Sequence, residues 1–133
     1  MLITTNLQGR KPLFANPAYA REAIEVLYRV QQLYPFSLFA FVVMPDHIHL
    51  LLTVPEPQKI STIMNRFKMG VGHSLGLGPI WQSRFHLREV HNARNALRYI
   101  HLNPFRAGIC EIPEKYPWSS ASGKWDVLEL GSF

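Results

Sequence analysis

Phe36-Ser37-Leu38-Phe39-Ala40-Phe41-Val42-Val43-Met44 is nearly all apolar, rich in aromatic and β-branched side chains, and is broken at once by Pro45-Asp46. His47-Ile48-His49-Leu50-Leu51-Leu52-Thr53-Val54 follows directly. The first run has the composition of a central strand covered on both faces. Two such runs around a proline-led break predict an antiparallel pair joined by a tight turn. Alternate side chains of a strand share a face, so His47 and His49 project together while Ile48, Leu50 and Leu52 point the other way.

Helical signals lie on both sides of this pair. Asn16-Pro17 supplies a capping side chain and a first-turn proline, and Ala20, Ala23, Ile24, Leu27 and Tyr34 then share one face. After Lys59, the residues Ile60, Ile63, Met64, Phe67 and Val71 recur at helical spacing. Gly70, Gly72, Gly76 and Gly78 predict a flexible loop, without the lysine and hydroxyl residue of a phosphate-binding P-loop. Upstream, Leu2 to Thr5 predicts a short irregular strand before a Gly9-Arg10-Lys11-Pro12 turn. Ile80 to Val90 suggests a hairpin or bulged strand, and a third helix should run from about Asn92 until Pro104 stops it. The remainder, with Pro113, Pro117 and a Trp118-Ser119-Ser120 turn, should cap the fold.

The chain of 133 residues is the size of one domain, and its 47% hydrophobic content is that of a globular chain rather than a disordered tail. A net charge of +5 suits a polyanionic partner. Cys110 is the single cysteine, which rules out an intramolecular disulfide and a cysteine-rich zinc site and favours a cytoplasmic setting. The start of the chain does not resemble a signal peptide, and no apolar run approaches the ~20 residues needed to span a bilayer, so no membrane partner is expected.

Two imidazoles on one strand face can reach a single ion. They suit zinc, manganese or nickel, and admit magnesium if oxygen ligands are added. Spacing alone describes two solvated strand histidines equally well. On the predicted third helix Tyr99 and Asn103 stand at i and i+4, off the stripe formed by Ala93, Leu97 and Ile100. A phenol and an amide oxygen on one rigid element could supply a nucleophile and a metal ligand, or simply pack near a helix end. Arg84, Arg88, Arg94, Arg98 and Arg106 surround Tyr99 in sequence, with Trp81, Phe85 and Phe105 interleaved. Guanidinium groups contact phosphates and aromatic rings stack on unpaired bases, which fits single-stranded nucleic acid; solvated arginines beside core aromatics are the alternative. His73, His86, His91 and His101 are scattered, and Cys110 has no base beside it to activate it.

Four segments in order carry a resemblance: Phe41 to Leu52 with its Met44-Pro45-Asp46-His47-Ile48-His49 centre, Ile80 to Phe85, Tyr99 to Gly108, and Tyr116 to Ser120. Together they resemble the REP-associated tyrosine transposases, members of the single-tyrosine HUH transposases of insertion sequences. The resemblance implies a single α/β (α+β) domain over residues 1–133, ferredoxin-like or RRM-like, with an antiparallel sheet flanked by helices. It implies His47, His49 and Asn103 as ligands of a divalent metal, Mg²⁺ or Mn²⁺, and Tyr99 as the nucleophile that forms a 5′-phosphotyrosine. It implies single-stranded DNA beside a hairpin, at REP-like or insertion-sequence ends, as the substrate. Arg10, Lys11, Arg84, Arg88, Arg98 and Arg106 are the candidate DNA contacts. Asn6 stands where the family often has arginine, and Phe105 where valine is commoner. Homodimer and monomer both occur among the relatives implied. Two rival activities remain: a non-catalytic nucleic-acid-binding module of the same fold, and a hydrolytic nuclease using activated water.

Overall fold

The apolar pair at the centre of the sequence forms β2 (Ser37–Met44) and β3 (His47–Thr53), joined by the two-residue Pro45-Asp46 turn, with Met44 facing His47 across the ladder. The structure is a computed structural model and describes residues 1–131. On the far side of β3 lies β1 (Leu2–Asn6), and β4 (His86–Arg88) pairs with β1, giving the order β2-β3-β1-β4 with every neighbour antiparallel. Helices α1 (Pro17–Leu33) and α2 (Ile60–Leu75) separate the strands, and α3 (Ala93–Arg106) follows them. A β-α-β-β-α-β order with this strand arrangement is the ferredoxin-like topology. The expected α+β class is therefore the observed one.

The opening strand is regular where an irregular one was expected. It is regular because both of its edges are occupied, by β3 across all five residues and by β4 across three. The 80–90 segment is bulged. Thr4 faces His86 and Leu7 faces Trp81, so three steps along one chain match five along the other.

Each sheet face carries its own core. Ile3, Phe41, Val43, Ile48, Leu50 and Leu52 pack with Ile24, Leu27, Ile63 and Phe67 of α1 and α2. Leu2, Ala40, Val42, Met44 and Leu51 form a smaller cluster with Ala96 and Ile100 of α3. A register shift between Leu38 and Ala40 reverses the alternation, so Leu38 joins the larger core while Ala40 lies on the α3 side.

Two expectations are corrected. Helix α2 continues through Gly70 and Gly72 to Leu75, and only Gly76 and Gly78, at φ +68° each, belong to the following turn. The two helical glycines are packing residues: a Cβ at 70 would come within 2.9 Å of Val26, and one at 72 would overlap the Gly78 carbonyl oxygen. Pro104 does not stop α3, which runs on to Arg106. A proline this close to the C-terminus forfeits one backbone bond, and the end is closed instead by Ala107 N–H to Asn103 O and Ile109 N–H to Pro104 O. Among the described residues no helix is long and apolar enough to cross a membrane.

Candidate active site

The antiparallel register decides which side chains meet on the α3 side of the sheet. β3 and β1 pair Leu51 with Leu2, His49 with Thr4, and His47 with Asn6. Directly opposed residues of a pair share a face, so apolar rungs grade into a polar end. The two imidazoles lie 4.8 Å apart between ring centroids, edge to face at 79°. Tyr99 of α3 comes down on His49, the two rings 5.4 Å apart at 68°. Ile100, one residue on, anchors the helix in the core, which leaves Tyr99 37% exposed at the rim.

Each histidine is oriented through Nδ1. His49 Nδ1 lies 2.8 Å from Thr4 Oγ1, and His47 Nδ1 lies 2.6 Å from Asp46 Oδ1. When one ring nitrogen is held this way, the other is presented as a lone pair, the arrangement common to metal-binding histidines. Burial, reinforced by the charges of His47 and Arg10, pushes the His49 imidazole down to about 4. A neutral imidazole at pH 7 is a competent ligand. Burial pushes the Asp46 carboxyl up, but hydrogen bonds from Arg10 and His47 outweigh it and hold the group below its usual range.

Arg10 completes this corner. Its Nε donates to Asp46 Oδ2 at 2.8 Å and one terminal nitrogen donates to Asn6 Oδ1 at 3.2 Å, while the other terminal nitrogen lies 3.5 Å from His47 Nδ1. The backbone there sits at φ +52°, a region non-glycine residues seldom occupy. Strain of that kind persists only where surrounding contacts over-determine it. Here the two acceptors flanking His47 hold the guanidinium in place.

The remaining sequence candidates separate into near and far. Arg88 lines two cavities of about 360 and 350 Å³ that flank Tyr99. Arg98 lines a groove of about 620 Å³ with Arg94 and His101 on another side of α3. Arg84 and Lys11 are exposed, and Arg106 is exposed at the end of α3. Asn103 lies one turn beyond Tyr99, half-buried, and its side chain makes no hydrogen bond among the described residues. No three His, Cys, Asp or Glu side chains converge for a metal among those residues. A cation on the imidazole pair would therefore draw further ligands of another kind, such as an amide or phosphate oxygen.

Sequence reasoning missed Thr4 and Asp46. Thr4 becomes visible only once β1 is registered against β3. Asp46 adjoins His47 in the motif but reads as a turn residue.

Residues 3–103 match the sequence profile described as "Transposase IS200 like", and the chain belongs to that family of transposases. Within it, the chain is similar to REP-associated tyrosine transposases. It is 32% identical over 123 residues to the REP-associated tyrosine transposase of Escherichia coli K12, an alignment covering 88% of this chain and 73% of the relative. It is also similar to the structure of a REP-associated tyrosine transposase bound to a REP hairpin, with a TM-score of 0.78, 28% identity, and coverage of 98% of this chain and 84% of that one.

Proposed function

We propose that this transposase-family protein cleaves and rejoins single-stranded DNA next to a hairpin through a covalent bond to Tyr99. The observation that carries the reading is the approach of the Tyr99 ring to within 5.4 Å of His49, beside the second imidazole of His47. The phenol is partly exposed and lies against one imidazole of an oriented pair. The structural relative bound to a REP hairpin supports hairpin DNA as the substrate class here.

His47 and His49 fit a divalent cation, Mg²⁺ or Mn²⁺, because Thr4 and Asp46 take up their Nδ1 atoms and leave the other nitrogens to bind. Asn103 and a phosphate oxygen would supply the oxygen ligands that such ions prefer. The ion would draw off negative charge from a non-bridging phosphate oxygen.

The protein's own groups do the rest. The phenolic oxygen of Tyr99 bonds to phosphorus as the bond from phosphorus to the 3′ oxygen breaks. The phenolic proton leaves to solvent on the exposed side, and the departing 3′ oxygen takes up a proton to become a hydroxyl. The 5′ end is then a phosphotyrosine, a phosphodiester like the bond it replaced. Attack by another 3′-hydroxyl reverses the step and joins strands without ATP. Arg10, fixed on Asp46 and Asn6, is aimed to place positive charge beside the phosphate, and Arg88 borders the cavities where the flanking strand would lie.

The test uses labelled hairpin DNA with a single-stranded flank, incubated with Mn²⁺ or Mg²⁺ and resolved in denaturing gels. Wild type should form a detergent-resistant adduct, and Tyr99→Phe should form none while still binding DNA. Cleavage surviving in Tyr99→Phe would show hydrolysis by activated water instead. Binding of cognate DNA with no adduct in any metal would leave only a binding module.

A further inference from the structure

The segment Tyr116 to Ser120 takes no part in the chemistry above, yet it is stitched to the outer edge of β2. Tyr116 Oη–H donates to Val43 O at 2.7 Å, Val43 N–H donates to Trp118 O at 2.8 Å, and Ser119 bridges to Val42. Ser120 is buried, and its hydroxyl continues the pattern on Phe41. It accepts the Phe41 N–H at 3.0 Å and donates to Phe41 O at 3.2 Å. One further group meets that hydroxyl: His101 Nε2 of α3 lies 2.8 Å away.

The valence of the hydroxyl settles the direction of this last contact. A serine oxygen has one proton and two lone pairs. The proton goes to Phe41 O and one lone pair takes the Phe41 N–H, so the other accepts a proton from His101 Nε2. Every partner is then satisfied. Among the described residues this is the one side-chain hydrogen bond that ties α3 to the rest of the fold.

Helix α3 needs such a tie. Its buried residues, Ala96, Ile100 and Pro104, recur at every fourth position and so lie near one line along the helix. A single line of contact resists lifting but opposes roll about the helix axis only weakly. At 3.6 residues per turn, Tyr99 and His101 project about 100° to either side of Ile100. Tyr99 turns towards His49, Thr4 and Arg88, and His101 turns towards the edge of β2. Leu97 adds a partly buried contact on the His101 flank. Apolar packing has little directional preference, whereas a hydrogen bond prescribes an angle. A helical Cα lies about 2.3 Å from the axis and a tyrosine oxygen about 6 Å further out, so a roll of about 10° carries that oxygen about 1.5 Å. Misplacement by about 1 Å is enough to cost about 100-fold in rate.

We propose that the hydrogen bond from His101 to Ser120 sets the roll of α3 and so aims Tyr99 at His49, which makes His101 and Ser120 positioning residues for strand cleavage. Its effect on rate rests on the strand-transfer reading, and its effect on the orientation of Tyr99 does not. The full chain is labelled with 3-fluorotyrosine, and the Tyr99 fluorine resonance is assigned as the one missing from Tyr99→Phe. His101→Phe keeps a ring and removes the donor, and should shift or broaden that resonance. His101→Gln carries an amide N–H at the same number of bonds from the backbone and should return it to the wild-type position. Ser120→Ala removes the acceptor and should displace the resonance as His101→Phe does, and combining the two should add nothing further. With saturating hairpin DNA and Mn²⁺, adduct formation should slow about tenfold or more in His101→Phe and Ser120→Ala, and stay close to wild type in His101→Gln. Affinity for the same DNA without metal should be unchanged in all three.

A Tyr99 resonance that stays in place in either His101→Phe or Ser120→Ala overturns the tether. So does a His101→Gln protein as displaced as His101→Phe, because ring packing would then be what holds the helix. Wild-type adduct rates in the two displaced variants overturn the positioning role and leave strand transfer standing. Resonances that move and return as expected, with no adduct from wild type under any condition, would support the tether and remove strand transfer.

Discussion

The two faces of one sheet put the same strands to different use. Towards α1 and α2, β2 and β3 present Phe41, Val43, Ile48, Leu50 and Leu52 to a large core that is apolar but for the buried Thr5 of β1. Towards α3 the same strands present Val42, Met44 and Leu51, and then the apolar rungs end in His49, Thr4, His47 and Asn6. The larger core can hold the sheet rigid, which lets the smaller face keep polar groups whose positions matter more than their burial. Stability and chemistry are thus separated by the period-two alternation of a strand.

Exchanging one residue on each face separates the two roles most clearly. Phe41→Ala, at a fully buried position, should cost about 3–5 kcal/mol in denaturant unfolding. Tyr99→Phe should abolish adduct formation yet change stability by no more than about 0.5 kcal/mol, as expected at an exposed site. A Tyr99→Phe protein that unfolds easily would mean that the α3 face is a core after all.

Smaller changes sharpen the picture. Asp46→Asn removes the carboxylate that orients His47 and should weaken Mn²⁺ binding about 10–100-fold by titration calorimetry, with the fold intact. Gly72→Ala forces α2 away from the Gly78 carbonyl and should cost about 1–3 kcal/mol, read in thermal unfolding. The smallest effect concerns Tyr116, whose hydroxyl donates to Val43 O at 2.7 Å and whose phenol is pushed up to about 12 by burial and by Cys110. The folded state keeps that phenol neutral while the unfolded chain ionises near pH 10. Its contribution is therefore complete below pH 10 and is lost as pH rises towards 12. Tyr116→Phe should cost about 1 kcal/mol at neutral pH and lessen the alkaline loss of stability.

How much of this was legible in the sequence differs by element. The central strand pair, the shared face of His47 and His49 and the start of α1 at Asn16-Pro17 follow from local pattern, because alternation and capping act over a few residues. The candidates Tyr99 and His49 were legible as types on predicted elements, but their approach depends on how α3 lies across the sheet. Thr4 could not be recognised before the register was known. The glycines of α2 were misread because a local rule treats glycine as a helix breaker, whereas Gly70 and Gly72 answer to Val26 and Gly78, which are distant in sequence. Pro104 was misread for the complementary reason: a proline in the last turn has little helix left to break.

One small element has a wider effect. Strand β4 is only three residues long, every one of them exposed, with His86 and Arg88 at its ends. A sheet margin so brief, ending on the guanidinium of Arg88, is a poor template for another chain's backbone, which guards against edge-to-edge aggregation. The single charge at that margin would then help to keep copies of the protein from sticking to one another there.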